Sequence, residues 1–144
     1  MEYRDLLPVA LKMAVDAHGG VIGKDGTPYI LHPLRLMMQA KDYAEQITAI
    51  LHDAVEDTPL TLKHLEEAGF PSEIVAAIEA VTKRPDESYE AFIERIARNP
   101  LAVRVKRLDL RDNLNVMRLA ELGEAELVRI ARYHRALRRL EQAD

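Results

Sequence analysis

The chain has 144 residues, of which 48% are hydrophobic and 31% charged, with a formal net charge of −4. That is the balance of one soluble domain long enough to bury a proper core, and the negative charge argues against general nucleic-acid binding. Cysteine is absent, which excludes disulfides, thiolate catalysis and cysteine-based zinc sites.

No apolar run approaches the roughly 20 residues that a bilayer requires. The opening MEYRDLLPVALKMAVDAH carries charge where a signal peptide would be uninterrupted and apolar, so a cytoplasmic protein is expected. Five Tyr, two Phe and no Trp leave the core to Leu, Ile, Val and Ala, which suits helices. Leu6, Leu7, Ala10, Leu11, Ala14 and Ala17 mark one face of a first helix, ended by Gly19 and Gly20. Residues 19–31, GGVIGKDGTPYIL, read as an ordered loop pinned by Asp25-Gly26 and Pro28. His32 precedes Pro33, which is expected to hold the histidine outside helical geometry and to start a helix at residue 33.

The first of the following helices is expected over about 33–40 and the next over about 43–57, stopped by Thr58-Pro59. Thr61 is placed to cap a helix ending at Gly69, and Ser72 to cap the next, which runs until Pro85. Residues 88–98 read as helix, Asn99-Pro100 opens another through LAVRVKRLDLRDNL, and a last helix covers about 124–141. No segment alternates with period two over strand length. The expectation is an all-α fold, a single domain over 1–144 of about seven or eight helices.

The stretch ILHDAVEDT, residues 50–58, carries the chemistry. Read as one helix, it sets His52 over Glu56 and Asp53 over Asp57 beside an apolar surface. Like charges so placed repel, and burial adds a desolvation cost, so a nearby positive centre is expected. Four positions could form a metal site: His32, the His52-Asp53 pair and Asp109. Two imidazoles and two carboxylates suit Mn²⁺, Fe²⁺ or Zn²⁺, and ligand type alone does not choose among them. On the helix from Pro100, the positions Leu101, Val105, Leu108 and Asp112 share one face with Asp109 at its margin, and Lys106 and Asn113 fall one turn either side of Asp109. Singly, Asp109 could pair with Arg107 or Arg111 and His32 could be a junction histidine; their combined order makes the case.

That order, AH-x-G-x(3)-KDGTPYILHP, then ILHDAVEDT, then VKRLDLRDN, resembles the HD-domain hydrolases of the Rel/Spo alarmone family, above all the small stand-alone hydrolases. The resemblance covers about residues 10–116 and leaves no room in this chain for a synthetase module. It implies that His32, His52, Asp53 and Asp109 ligate a metal, usually Mn²⁺, that Glu56 and Asp57 are the catalytic acidic pair, and that Lys24 and Asn113 contact phosphates and sugar. The implied reaction removes pyrophosphate from the 3′ position of (p)ppGpp, leaving GDP or GTP. In the expected mechanism Glu56 and Asp57 orient the attacking water and take its proton.

This chain departs from the family pattern in its loop, GVIGK against GQ-x-RK: Val21 replaces Gln, and Gly23 replaces an Arg that stacks on guanine in relatives. Val116 stands where a substrate-binding Thr is common, and KRLD replaces the commoner KLAD. Two alternatives follow: the same metal chemistry on another phosphorylated nucleotide, such as NADPH or a nucleoside phosphate, or a non-catalytic nucleotide-binding module. Arg129, Arg132, Arg135, Arg138 and Arg139 crowd the last helix. With Leu127, Ile130, Ala131, His134 and Leu137 read as its core face, the arginines are expected to form a solvated one. His64 and His134 are expected to be structural or exposed, and His18 to brace the loop. The oligomeric state stays open.

Overall fold

The computed structural model describes residues 2–143. Among them, the α-helices in chain order are α1 (Tyr3–His18), α2 (Leu31–Gln39), α3 (Tyr43–Leu51), α4 (Ala54–Asp57), α5 (Leu62–Glu67), α6 (Ser72–Ala80), α7 (Tyr89–Ile96), α8 (Pro100–Asn113) and α9 (Glu124–Glu141), with a 3-10 turn at Val116–Arg118. The fold is all-α, as expected, and the only β-like feature among these residues is an isolated antiparallel bridge between Ile22 and Pro28.

The helix starts follow local chemistry. Asp42, Thr61, Ser88 and Asn99 each accept a hydrogen bond from the backbone N–H three residues on, each cap stabilising by about 1 kcal/mol. Exposed His64 closes a reciprocal pair with Thr61, its Nδ1 accepting from the Thr61 N–H at 3.0 Å. Ser72 is the first residue of α6, and the capping position before it is Pro71, without a side-chain hydrogen bond.

Two expected boundaries move. The helix foreseen over 43–57 breaks at His52 and Asp53, where Asp53 takes φ −119°, ψ 7°. The ladder resumes with Asp57 N–H donating to Asp53 O at 3.0 Å. His32 lies inside α2, whose first residue is Leu31, with Pro33 third. The missing proline N–H is harmless there, because the first four N–H groups of a helix have no intrahelical partner.

The core forms three clusters. Leu6, Ala10, Ile47, Ile50, Leu51, Leu65, Ile74 and Ile78 join α1, α3, α5 and α6. Phe92, Ile93, Ile96, Val103, Leu110, Ala136 and Leu140 join α7, α8 and α9. Leu36, Ala49 and Val105 lock α2, α3 and α8 together. On α9 the buried positions are Ala136 and Leu140, with Tyr133 and Leu137 partly buried. The expected face over-reached: Leu127 is 53% exposed, and Ala131 and His134 are exposed too. Only the C-terminal half of α9 enters the second cluster, so its earlier apolar residues have no core to enter.

Candidate metal centre and its cleft

Three elements deliver the site. Segment 19–30, between α1 and α2, closes on itself: Gly23 N–H donates to Thr27 O at 2.8 Å, Tyr29 N–H to Val21 O at 2.8 Å, and Asp25 Oδ1 accepts from Thr27 N at 3.0 Å. Gly26, at φ +82°, supplies the left-handed residue that this turn requires. The turn carries Lys24 at an exposed position and brings Tyr29 under the first turn of α2, where His32 N–H donates to Tyr29 O at 2.9 Å. The break after α3 orients His52 and Asp53, and the C-terminal half of α8 carries Asp109, Asp112 and Asn113.

His32, His52 and Asp109 are buried, and each offers one ligand atom within 4.8 Å of the others. His32 Nε2 lies 2.9 Å and His52 Nε2 3.5 Å from Asp109 Oδ1. The rings stand edge to face, their centroids 5.2 Å apart. The opposite ring nitrogens are anchored, His52 Nδ1 on Ala49 O at 2.8 Å and His32 Nδ1 on Asp112 Oδ2 at 2.6 Å. An oxygen acceptor on one ring nitrogen, leaving the other directed at a common point, is the arrangement of metal-binding imidazoles. The group therefore fits a borderline divalent ion.

Asp53 stands beside this group rather than in it. Its Oδ2 accepts from the Tyr29 hydroxyl and lies 3.7 Å from His52 Nε2. Its Oδ1 is 3.3 Å from His18 Nε2, and neither of these buried atoms makes a hydrogen bond. His18 also packs on the Tyr29 ring, at 5.1 Å between centroids, bracing the loop as expected.

Charge at the site is balanced by contact. Burial alone would raise the pKa of Asp109, but Lys106, His52 and His32 overturn that and hold its carboxyl well below the usual range. Lys106 Nζ sits 2.8 Å from Asp109 Oδ2, and Asn113 Nδ2 donates to Asp109 Oδ1 at 3.0 Å. His32 is pushed up to about 9: burial opposes its charge, and hydrogen bonds to Asp109 and Asp112 prevail. Asp53 is raised by burial, and Asp57 by burial and then by the neighbouring Asp53 charge.

Above the group opens a cleft of about 620 Å³, whose lining includes Lys24, Glu56, Asp57, Lys83, Lys106, Asn113 and Arg129. Glu56 Oε1 accepts from the Lys83 N–H at 2.7 Å. The lining also includes Tyr89, Phe92 and Tyr133. Arg132 covers the Tyr89 ring at 5.3 Å, a use of that arginine beyond a solvated face.

All eight site positions expected from sequence thus face one cleft, with His32, His52 and Asp109 in its tightest group and Asp53 at its edge. Sequence reasoning gave no role to Asp112, which grips His32, nor to Arg35, Arg118 and Tyr29. The signal for Asp112 was available: it lies three residues after Asp109, on the same side of α8.

The fold defines an all-α class shared with a solved protein. It superposes on a structure titled "A metazoan ortholog of SpoT hydrolyzes ppGpp and plays a role in starvation responses", with TM-score 0.78, 21% identity, and coverage of 93% of this chain and 84% of that one. In sequence, the homologues are SpoT/RelA-type proteins. The guanosine-3′,5′-bis(diphosphate) 3′-pyrophosphohydrolase of Aquifex aeolicus is 31% identical over 120 residues, 75% of this chain and 17% of the relative. The bifunctional (p)ppGpp synthase/hydrolase SpoT of Escherichia coli is 32% identical over 136 residues, 85% of this chain and 19% of the relative. The chain spans about a fifth of the length of such relatives. No family model matches it, and among the described residues no helix is long and apolar enough to cross a membrane.

Proposed function

We propose that the chain is a single HD domain acting as a metal-dependent phosphohydrolase that removes the 3′-pyrophosphate of (p)ppGpp, leaving GDP or GTP. The observation that carries this reading is the buried His32–His52–Asp109 group beneath a cleft that holds acidic and cationic side chains together. The names of the relatives, whose matched region is this one, support the same activity. The ion proposed is Mn²⁺, with Fe²⁺ or Zn²⁺ able to use the same donors, and Asp53 joins the three as a ligand. A cytoplasmic location goes with a free nucleotide substrate.

A bound dication supplies polarisation of a phosphoryl oxygen and a water of lowered pKa. The chain does the rest. Glu56 is fixed through Oε1 by the Lys83 N–H, which leaves Oε2 to take a proton from the attacking water. Asp57, its charge disfavoured by burial and by Asp53, shares the positioning of that water. Lys24, on the tip of its closed turn, offsets polyphosphate charge, and Asn113 serves the phosphates and sugar.

One observation favours a second reading, another phosphorylated nucleotide such as NADPH. Gly23 has no positive φ, and a Cβ there would meet only ordinary contacts, Asp25 Oδ1 and Thr27 O at 3.5 Å. The backbone does not require glycine, so the loop simply offers no side-chain plane to a base. A panel of ppGpp, NADPH and common nucleotides, with and without Mn²⁺ and read by phosphate and pyrophosphate release, tests both. The expected result is Mn²⁺-dependent pyrophosphate release from ppGpp. Turnover of NADPH with none of ppGpp would overturn the first reading, and metal-dependent binding without turnover would point to a binding module.

A further inference from the structure

The two imidazoles of the centre are steadied by different means. His52 Nδ1 meets a main-chain carbonyl in the last turn of α3, which it follows, Ala49 O at 2.8 Å. His32 lies in the first turn of α2, where the helix offers no such carbonyl, and its Nδ1 meets a side chain 80 residues away, Asp112 Oδ2 at 2.6 Å. Asp112 is itself clamped. Arg35 forks onto it, Nε to Oδ1 at 2.8 Å and Nη2 to Oδ2 at 2.9 Å. Arg118 Nη2 lies 3.3 Å from Asp112 Oδ2 and donates to its carbonyl at 2.7 Å, while Arg118 Nε is 3.6 Å from Asp25 Oδ2 in the loop that carries Lys24.

Resting on the metal centre proposed above, we infer that Asp112 is a positioning residue: it accepts the hydrogen bond of His32 Nδ1–H, which leaves Nε2 facing the ion, and Arg35 and Arg118 hold it there, fastening α2, α8 and the Lys24 loop as one unit. A plain surface ion pair does not account for the arrangement. The two arginine side chains are 31% and 29% exposed and keep water without Asp112, whereas the Asp112 side chain is 5% exposed. Burying a carboxylate is costly, and the His32 contact joins the Arg35 fork in offsetting that cost. The shortest contact of Asp112 is with the imidazole.

The test is equilibrium binding of Mn²⁺ to the metal-free protein by calorimetry, with the visible spectrum of the Co²⁺-loaded protein as a second readout. Asp112→Ala is expected to weaken Mn²⁺ binding about 10–100-fold and to shift the Co²⁺ bands. Asp112→Asn, whose amide oxygen can still accept from Nδ1, is expected to lose less. Ile78→Val, which thins the first core cluster, is expected to lower the melting temperature with no change in metal affinity. Asp112→Ala binding as tightly as wild type would overturn the inference. Should that variant not fold, Asp112→Asn decides, and wild-type affinity with an unchanged Co²⁺ spectrum overturns it. Asp109→Ala separates the two layers: it is expected to abolish binding, and unimpaired binding there would sink the metal centre itself rather than the role of Asp112.

Discussion

Lys106 Nζ touches Asp109 Oδ2 at 2.8 Å, while both histidines address Oδ1 of the same carboxylate. The lysine is also 5.2 Å from the centroid of the Phe92 ring, so its charge is shared between an anion and a π-face. Burial disfavours that charge, yet Asp109 raises the lysine pKa above its ordinary value. Lys106→Met removes the cation at Oδ2 and leaves the buried carboxylate with only its Oδ1 contacts to His32, His52 and Asn113. The expected loss is about 3–5 kcal/mol in metal-free protein, by denaturant unfolding. Mn²⁺ is expected to restore more stability to the variant than to wild type, since a dication on Asp109 replaces the missing charge.

Glu56→Gln keeps an oxygen for the Lys83 N–H and deletes only the basicity. Turnover on the preferred nucleotide is expected to fall about 10²–10⁴-fold with Mn²⁺ affinity unchanged, measured by steady-state kinetics beside calorimetry. Full turnover in this variant would remove Glu56 from the mechanism.

The connection between α6 and α7 has its own pH dependence. Arg95 forks onto Glu87 at 2.7 and 2.8 Å and also donates to Thr82 O at 2.8 Å and Glu79 O at 3.2 Å. Hydrogen bonds from Arg95 lower Glu87 to about 2 from an ordinary 4.5. A carboxylate depressed in the folded state stabilises fully above its unfolded pKa and loses that contribution as pH falls from about 4.5 toward 2. Wild type is therefore expected to lose stability across that window. Glu87→Gln is expected to be less stable at neutral pH and to show a smaller further loss on acidification, as followed by helical circular dichroism.

Leu36 is fully buried with Ala49 and Val105 in the cluster that joins α2, α3 and α8, the three helices that carry or lead into His32, His52 and Asp109. Leu36→Ala is expected to cost about 2–5 kcal/mol by denaturant unfolding.

Much of this was legible in the chain because the signals were local. The caps at Thr61 and Asn99 stand where a polar residue precedes an apolar period, and the helices start there. The gathering of His32, His52 and Asp109 followed from residue types that have little reason to be buried unless something unites them. What sequence missed was tertiary. The apolar rhythm runs unbroken through ILHDAVEDT, and the break at Asp53 serves contacts with Tyr29 and His18 that lie far off in sequence. Periodicity on α9 named an apolar face without knowing where its partner helices stop. Asp112 looked like one more residue of the α8 face because nothing local says that Arg35 and His32 come to meet it.

His32 and Asp109 are 77 positions apart in the chain. A ribosome adding roughly 5–20 residues per second releases the histidine about 4–15 s before its acidic counterpart. Nothing in the nascent polypeptide can hold an ion with the full donor set during that interval. A cation held by these residues would consequently be loaded late in the birth of this molecule, after translation has carried α8 clear of the exit tunnel.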